Sequence, residues 1–138
     1  MMRFIFTALL LLITFGTVDV ASAETLLEQI KEIPTREGRF KELTTQCHQG
    51  NAEACLVLGF MYDEGKGVTR DVFKAVELYR KACDGKNATG CFNLGNMYRT
   101  GDGVRQSVED ALTFYGKACD LKDKDGCQNY ARLKTRKK

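Results

Sequence analysis

"LGFMYDEGKGV", residues 58–68, comes back 36 residues later as "LGNMYRTGDGV", residues 94–104. A period of this length marks stacked supersecondary units rather than one irregular core. With the window widened and no gaps, residues 47–82 and 83–118 share 16 of 36 positions, among them Cys47/Cys83, Asn51/Asn87, Cys55/Cys91, Gly59/Gly95, Tyr79/Tyr115 and Ala82/Ala118. A third, truncated copy opens at Cys119. "REGRFKELTTQ", just before Cys47, reads as a degenerate second half of a copy.

Each copy holds two helical patterns. The first runs from about Ala52 to Asp63, and from Ala88 to Arg99, with apolar residues on more than one side, as in a helix packed between neighbours. The second starts near Asp71 or Ser107. Its apolar face is Val72, Ala75, Val76, Tyr79, Ala82 and Cys83, matched by Val108, Ala111, Leu112, Tyr115, Ala118 and Cys119; spacings of three and four define one side of a helix. Ser107 with Asp110 three residues on is an N-cap arrangement. The glycines of "EGKGV" and "TGDGV" end the first helix by permitting positive φ. Gly59 and Gly95 lie inside the first helices, where glycine costs about 1 kcal/mol against alanine, so a second helix is expected to approach closely there. No β pattern is found. The expected fold is all-α: a short, right-handed α/α superhelix of antiparallel helix pairs.

The copies meet at a cysteine bracket written three times: "CHQGNAEAC" (47–55), "CDGKNATGC" (83–91) and "CDLKDKDGC" (119–127). In continuous helix its ends would lie about 12 Å apart along the axis, beyond the roughly 7 Å a disulfide spans between Cα atoms. Bonding within a bracket therefore requires the chain to reverse there, and "GN", "DGKN" and "KDKDG" are turn-prone. Six cysteines allow fifteen pairings. Cys47–Cys55, Cys83–Cys91 and Cys119–Cys127 are favoured because the bracket is invariant while its contents vary. Equivalent cysteines of stacked copies would also sit about 9–10 Å apart. Zinc sites prefer closer cysteine pairs and His48 is the lone histidine, so no metal or cofactor is expected.

The chain opens with "MMRFIFTALLLLITFGTVDVASAE". Arg3, an apolar run of about a dozen residues and Ala21-Ser22-Ala23 form an export signal, cut before Glu24; the run is short of the roughly 20 residues of a membrane span. Residues 24–46 then hold a capping helix region and the half repeat, 47–82 and 83–118 the repeats, and 119–138 a partial repeat with a basic tail. Six cysteines in the exported part fit an oxidising compartment, secreted or periplasmic. The net charge of +3 is local to Arg132, Lys134, Arg136, Lys137 and Lys138. These cations read as a solvated helix end, so neither nucleic acid nor, after cleavage, a membrane is expected as a partner.

The pattern Leu-Gly-x-Met-Tyr-x-x-Gly-x-Gly-Val, with seven residues between bracketing cysteines, resembles the Sel-like repeat, a relative of the tetratricopeptide repeat. In particular it is similar to the Helicobacter cysteine-rich protein family, over roughly residues 35–133. The resemblance implies an exported α/α solenoid with one disulfide per repeat. It also implies an adaptor or host-interaction role, or a penicillin-binding protein with slow β-lactam hydrolysis, the activity for which many members are labelled β-lactamase.

The residues themselves supply no catalytic constellation. There are two serines, Ser22 in the signal and Ser107 at a helix start, and no Ser-x-x-Lys. Cysteines held in disulfides are not nucleophiles. Asp63, Glu64 and Glu77 read as solvated surface. "GKG" and "GDG" are not phosphate loops. A binding face is better supported. The first helices of a solenoid line one curved surface, where Asn93 is equivalent to Val57 and Asn129, and Asn96 to Phe60 and Arg132. Asn93 and Asn96, three apart, share a face, and an amide can both donate to and accept from a peptide backbone. Val57, Phe60, Asn93, Asn96 and Asn129 are thus the candidate ligand-binding residues. The expected ligand is a peptide or protein, with a β-lactam or peptidoglycan-like peptide as the alternative.

Overall fold

The computed structural model describes residues 35–136. The export signal expected at 1–23 lies outside the described residues, as does the start of the capping region. Among the described residues the chain forms six α-helices and no strand: α1 Arg36–His48, α2 Ala52–Glu64, α3 Val72–Asp84, α4 Ala88–Thr100, α5 Val108–Asp120 and α6 Lys124–Arg136. Each helix packs on the next in sequence, so α2/α3 and α4/α5 form two helix pairs, with α1 packed before them and α6 after. The molecule is an all-α solenoid of helix pairs.

The same local chemistry sets the same boundaries in both pairs. Asn51 and Asn87 cap α2 and α4 by accepting from the backbone N–H of Ala54 and Gly90; Asp71 and Ser107 cap α3 and α5 by accepting from Lys74 and Asp110. Such caps each contribute about 1 kcal/mol. Gly65 (φ 66°) and Gly101 (φ 81°) end α2 and α4 in the left-handed conformation. Beyond them, Arg70 Nε donates to the Asp63 carbonyl at 2.7 Å and Gln106 Nε2 to the Arg99 carbonyl at 2.9 Å. Two different side chains thus satisfy the same orphan carbonyl at the helix end.

Gly59 and Gly95 are close-approach sites. A Cβ on either would lie 2.7 Å from the ring of Tyr79 or Tyr115, the buried tyrosine of the following helix. The core divides into two clusters. Cys47, Ala54, Cys55, Leu58, Leu78 and Ala82 fill the first. Tyr79, Cys83, Cys91, Leu94, Met97 and Phe114 lead the second. Leu56 and Tyr62 pack against both. Two details depart from the periodic reading. Leu78 and Phe114, absent from the expected apolar face, are buried, whereas Val108, placed on it, is 42% exposed. A buried stripe is wider than its strict i, i+3, i+4 positions, and Val108 opens on a cleft shared with Leu133 and Arg136.

Disulfides join Cys47–Cys55, Cys83–Cys91 and Cys119–Cys127, with Cα–Cα distances of 4.7, 4.5 and 4.5 Å. Cys83 lies in the last turn of α3 and Cys91 in the first turn of α4, so the bond closes the junction between copies. The left-handed residue of the reversal is Gly50 in the first bracket but Lys86 (φ 64°) and Lys122 (φ 71°) in the others. Gly126, read as part of a turn-prone run, is instead helical: its missing Cβ makes room for Ala118, whose Cβ would otherwise be 2.6 Å away.

Candidate functional site

The first helices α2, α4 and α6 present equivalent positions in register. At the α2 end Val57 is 36% exposed and Phe60 43% exposed. The Lys66 ammonium sits 4.4 Å from the centre of the Phe60 ring. In the middle, Asn93 and Asn96 are both half-buried. Asn93 makes no hydrogen bond to a described residue, so its amide keeps both its donor and its acceptor. Asn96 is different: its Oδ1 accepts from the Tyr115 hydroxyl at 2.6 Å. Half of that amide is spent holding a core tyrosine rather than left for a ligand. Its N–H groups remain available. On α6, Asn129 donates to the Asp125 carbonyl at 2.9 Å, which leaves its Oδ1 as an acceptor.

The equivalent tyrosine of the first copy solves the same problem with another residue. Phe60 stands where Asn96 stands and cannot accept. The Tyr79 hydroxyl turns instead to Asp63 Oδ2, at 3.3 Å. Asp63 is therefore not the plain surface carboxylate its sequence context suggests. Burial raises its pKa above the usual 3.8 and Glu64 adds to the rise, while the Tyr79 hydrogen bond and Arg70 pull it down. Burial and the Asp63 charge in turn push the Tyr79 hydroxyl above its ordinary range. This pair has a structural task.

The α6 end is basic. Arg99 of α4, with Asn129, Arg132, Leu133 and Arg136 of α6, lines a cavity of about 170 Å³. Arg99 and Arg136 were not singled out from sequence, where the C-terminal cations read as a solvated tail. The available signal was the spacing of Arg132 and Arg136, four apart and thus on one helix face, and the lack of any acidic residue in α4. On the opposite side of the array, α1 and α3 flank a groove of about 280 Å³ above Leu58 and Tyr62, with His48, Thr44, Lys74, Glu77 and Lys81 at its walls. All six cysteines are bonded. No cluster of metal-ligating side chains, and no helix long and apolar enough to cross a membrane, occurs among the described residues.

The class defined by these features is a disulfide-linked α solenoid. A family model for the Sel1 repeat matches residues 52–87 and 88–123; the chain belongs to the Sel1 repeat family. Among solved structures it is similar to Helicobacter pylori cysteine rich protein B, with 29% identity over 82% of this chain and 97% of that one, at a TM-score of 0.63. It is also similar to a Sel1 repeat protein from Oxalobacter formigenes, with 29% identity and a TM-score of 0.67; the match covers 80% of this chain but 45% of that one. A protective antigen of uropathogenic Escherichia coli, at 24% identity and a TM-score of 0.59 over 76% of this chain and 27% of that one, shares the fold. A comparison with curated proteins yields no match. Three disulfides suit an extracytoplasmic, oxidising location.

Proposed function

We propose that the chain is an exported binding module that takes an extended peptide, or a peptide-like stretch of a partner protein, along α2, α4 and α6. The observation that carries this reading is the half-buried, unpartnered amide of Asn93 beside Asn96, whose donors stay free. A peptide backbone needs both donors and acceptors. The exposed Val57 and Phe60 offer the apolar contact that backbone hydrogen bonds alone do not supply. The disulfides fit a scaffold that keeps this face rigid outside the cytoplasm, and the Ala21-Ser22-Ala23 cleavage pattern supports export. In this reading residues 47–82 and 83–118 are the two full repeats, with 119–138 as a terminal partial copy.

The test is a selection of decapeptides on the oxidised protein, followed by affinity measurement on the variant Asn93→Ala/Asn96→Asp. Aspartate at 96 still accepts from Tyr115 but cannot donate. Affinity is expected to fall about tenfold or more; unchanged affinity would refute the reading. A peptidoglycan-like peptide or a β-lactam belongs to the same ligand class, being peptide-like and carrying a carboxylate. Nitrocefin turnover by oxidised protein, above that of a reduced and unfolded control, would move the assignment to a hydrolase.

A further inference from the structure

The three guanidinium groups around the 170 Å³ cavity, Arg99, Arg132 and Arg136, lack a carboxylate partner among the described residues. Arg70 in the first copy, by contrast, has one: it pairs with Asp63 at 3.9 Å. Helix α4 contains no acidic residue, and α6 contains Asp125 alone, in its first turn. Glu109 lines the neighbouring cleft, which shares Leu133 and Arg136 with this one. Three exposed like charges around one small space repel each other, and of these side chains Arg99's alone makes a hydrogen bond to a described residue. Such an arrangement becomes favourable when an anion enters.

Arg99 is also aimed. Its Nε donates to the Tyr115 hydroxyl at 3.2 Å, and that hydroxyl donates to Asn96 Oδ1 at 2.6 Å. A fully buried tyrosine thus fixes the stem of the guanidinium, leaving its two terminal nitrogens for a ligand and tying the basic end to the amide centre. The charge differs between the outer helices, although Lys66, just past α2, lies over Phe60. Helix α2 carries Glu53, Asp63 and Glu64 and no cation, whereas α6 carries Lys124, Arg132, Lys134 and Arg136.

We propose that Arg99, Arg132 and Arg136 form an anion subsite that receives a carboxylate of the bound peptide and so sets its direction, with the carboxylate end towards α6. This rests on the peptide-binding reading above. A carboxylate is the favoured anion because the subsite continues a face of free amides. Every peptide ends in one, and the planar guanidinium matches it in a bidentate way. The N–H groups of Asn129 not used by Asp125 and the side chain of Leu133 complete the wall.

The experiment selects peptides from two decapeptide libraries, identical except that one ends in a free carboxylate and the other in an amide. Each selected peptide is measured against wild-type protein, Arg132→Gln/Arg136→Gln and Arg99→Gln, at low and high salt. Selected peptides are expected to lose about tenfold or more in affinity for either variant. They should lose as much on amidation, or on replacement of their Asp or Glu by Asn or Gln, and this second loss should vanish in the double variant. Sensitivity to amidation assigns the terminal carboxylate; sensitivity to the side-chain change assigns an acidic residue. The double variant should unfold at the same temperature as wild type or higher, which a merely structural role for these arginines would not produce. Peptides that bind wild type and both arginine variants equally, yet weaken with Asn93→Ala/Asn96→Asp, would overturn the subsite and leave the binding face standing. Failure to select any peptide would overturn both. Arginine-dependent binding of a single-stranded oligonucleotide, with peptides indifferent to the arginines, would reassign the cations to phosphate.

Discussion

Gly95 shows how much one missing carbon decides in this fold. Helix propensity alone favours alanine there by about 1 kcal/mol. The Tyr115 ring, 2.7 Å from the would-be Cβ, reverses the sign, because overpacking a core typically costs about 1–3 kcal/mol. Gly95→Ala is expected to lower unfolding stability by that order in a denaturant titration, and a gain would show that the ring can move aside. Asp63 makes a prediction in pH. Its folded pKa is raised, so the folded state holds the proton more tightly than the unfolded chain. The stability this confers is present at low pH and is lost as pH rises from near 3.8 through the raised value. Asp63→Asn keeps an acceptor for Tyr79 and removes the charge. Its stability relative to wild type should therefore improve as pH rises from 4 to 7, in paired urea titrations; a constant difference would contradict the assignment.

At the scale of elements, the two copies are not equal fillings of one mould. In the second, Arg80 Nη2 donates to the Tyr98 hydroxyl at 2.6 Å, and its guanidinium lies over Tyr98 and Phe114, whose rings stack at 5.3 Å. One repeat earlier the equivalents of Arg80 and Phe114 are Thr44 and Leu78, and a groove of about 280 Å³ remains between α1 and α3. Lys74 takes the Tyr62 ring face instead, at 4.8 Å. Thr44→Arg with Leu78→Phe should copy the second arrangement and raise stability by about 1 kcal/mol, read as a higher melting temperature; a fall would mean that Lys74 and the incoming arginine cannot share the ring. The cysteine brackets act on the same scale. Cys83→Ser/Cys91→Ser should cost roughly 2–3 kcal/mol. Cys119→Ser/Cys127→Ser should cost less, because α6 buries only Gly126 whereas the central bond lies in a core cluster. Thermal melts of the two variants check this order.

Across the whole molecule, the solenoid was legible because the 36-residue period repeats the N-cap positions, the glycines that end α2 and α4 and the glycine–tyrosine contacts, so each copy corroborates the other. The bracket boundaries were legible for the same reason. What differs between copies was not. That Tyr79 pairs with Asp63 and Tyr115 with Asn96 depends on where two side chains reach in space. The left-handed residue at Lys86, with Gly85 beside it, and the helical place of Gly126 run against the usual meaning of glycine in a turn. The basic cavity was hidden because Arg99 and Arg132 are distant in sequence and line one space only once α5 has packed against both α4 and α6.

The central claim is that ligand lies along α2, α4 and α6 rather than in the groove between α1 and α3. Titration of a selected peptide into isotopically labelled protein, followed by amide and side-chain NMR shifts, tests it most directly. The account predicts that the largest shifts fall at Val57, Phe60, Asn93, Asn96, Asn129 and Arg132. Shifts concentrated instead at Thr44, Lys74 and Leu78, with the asparagine side chains unmoved, would contradict it.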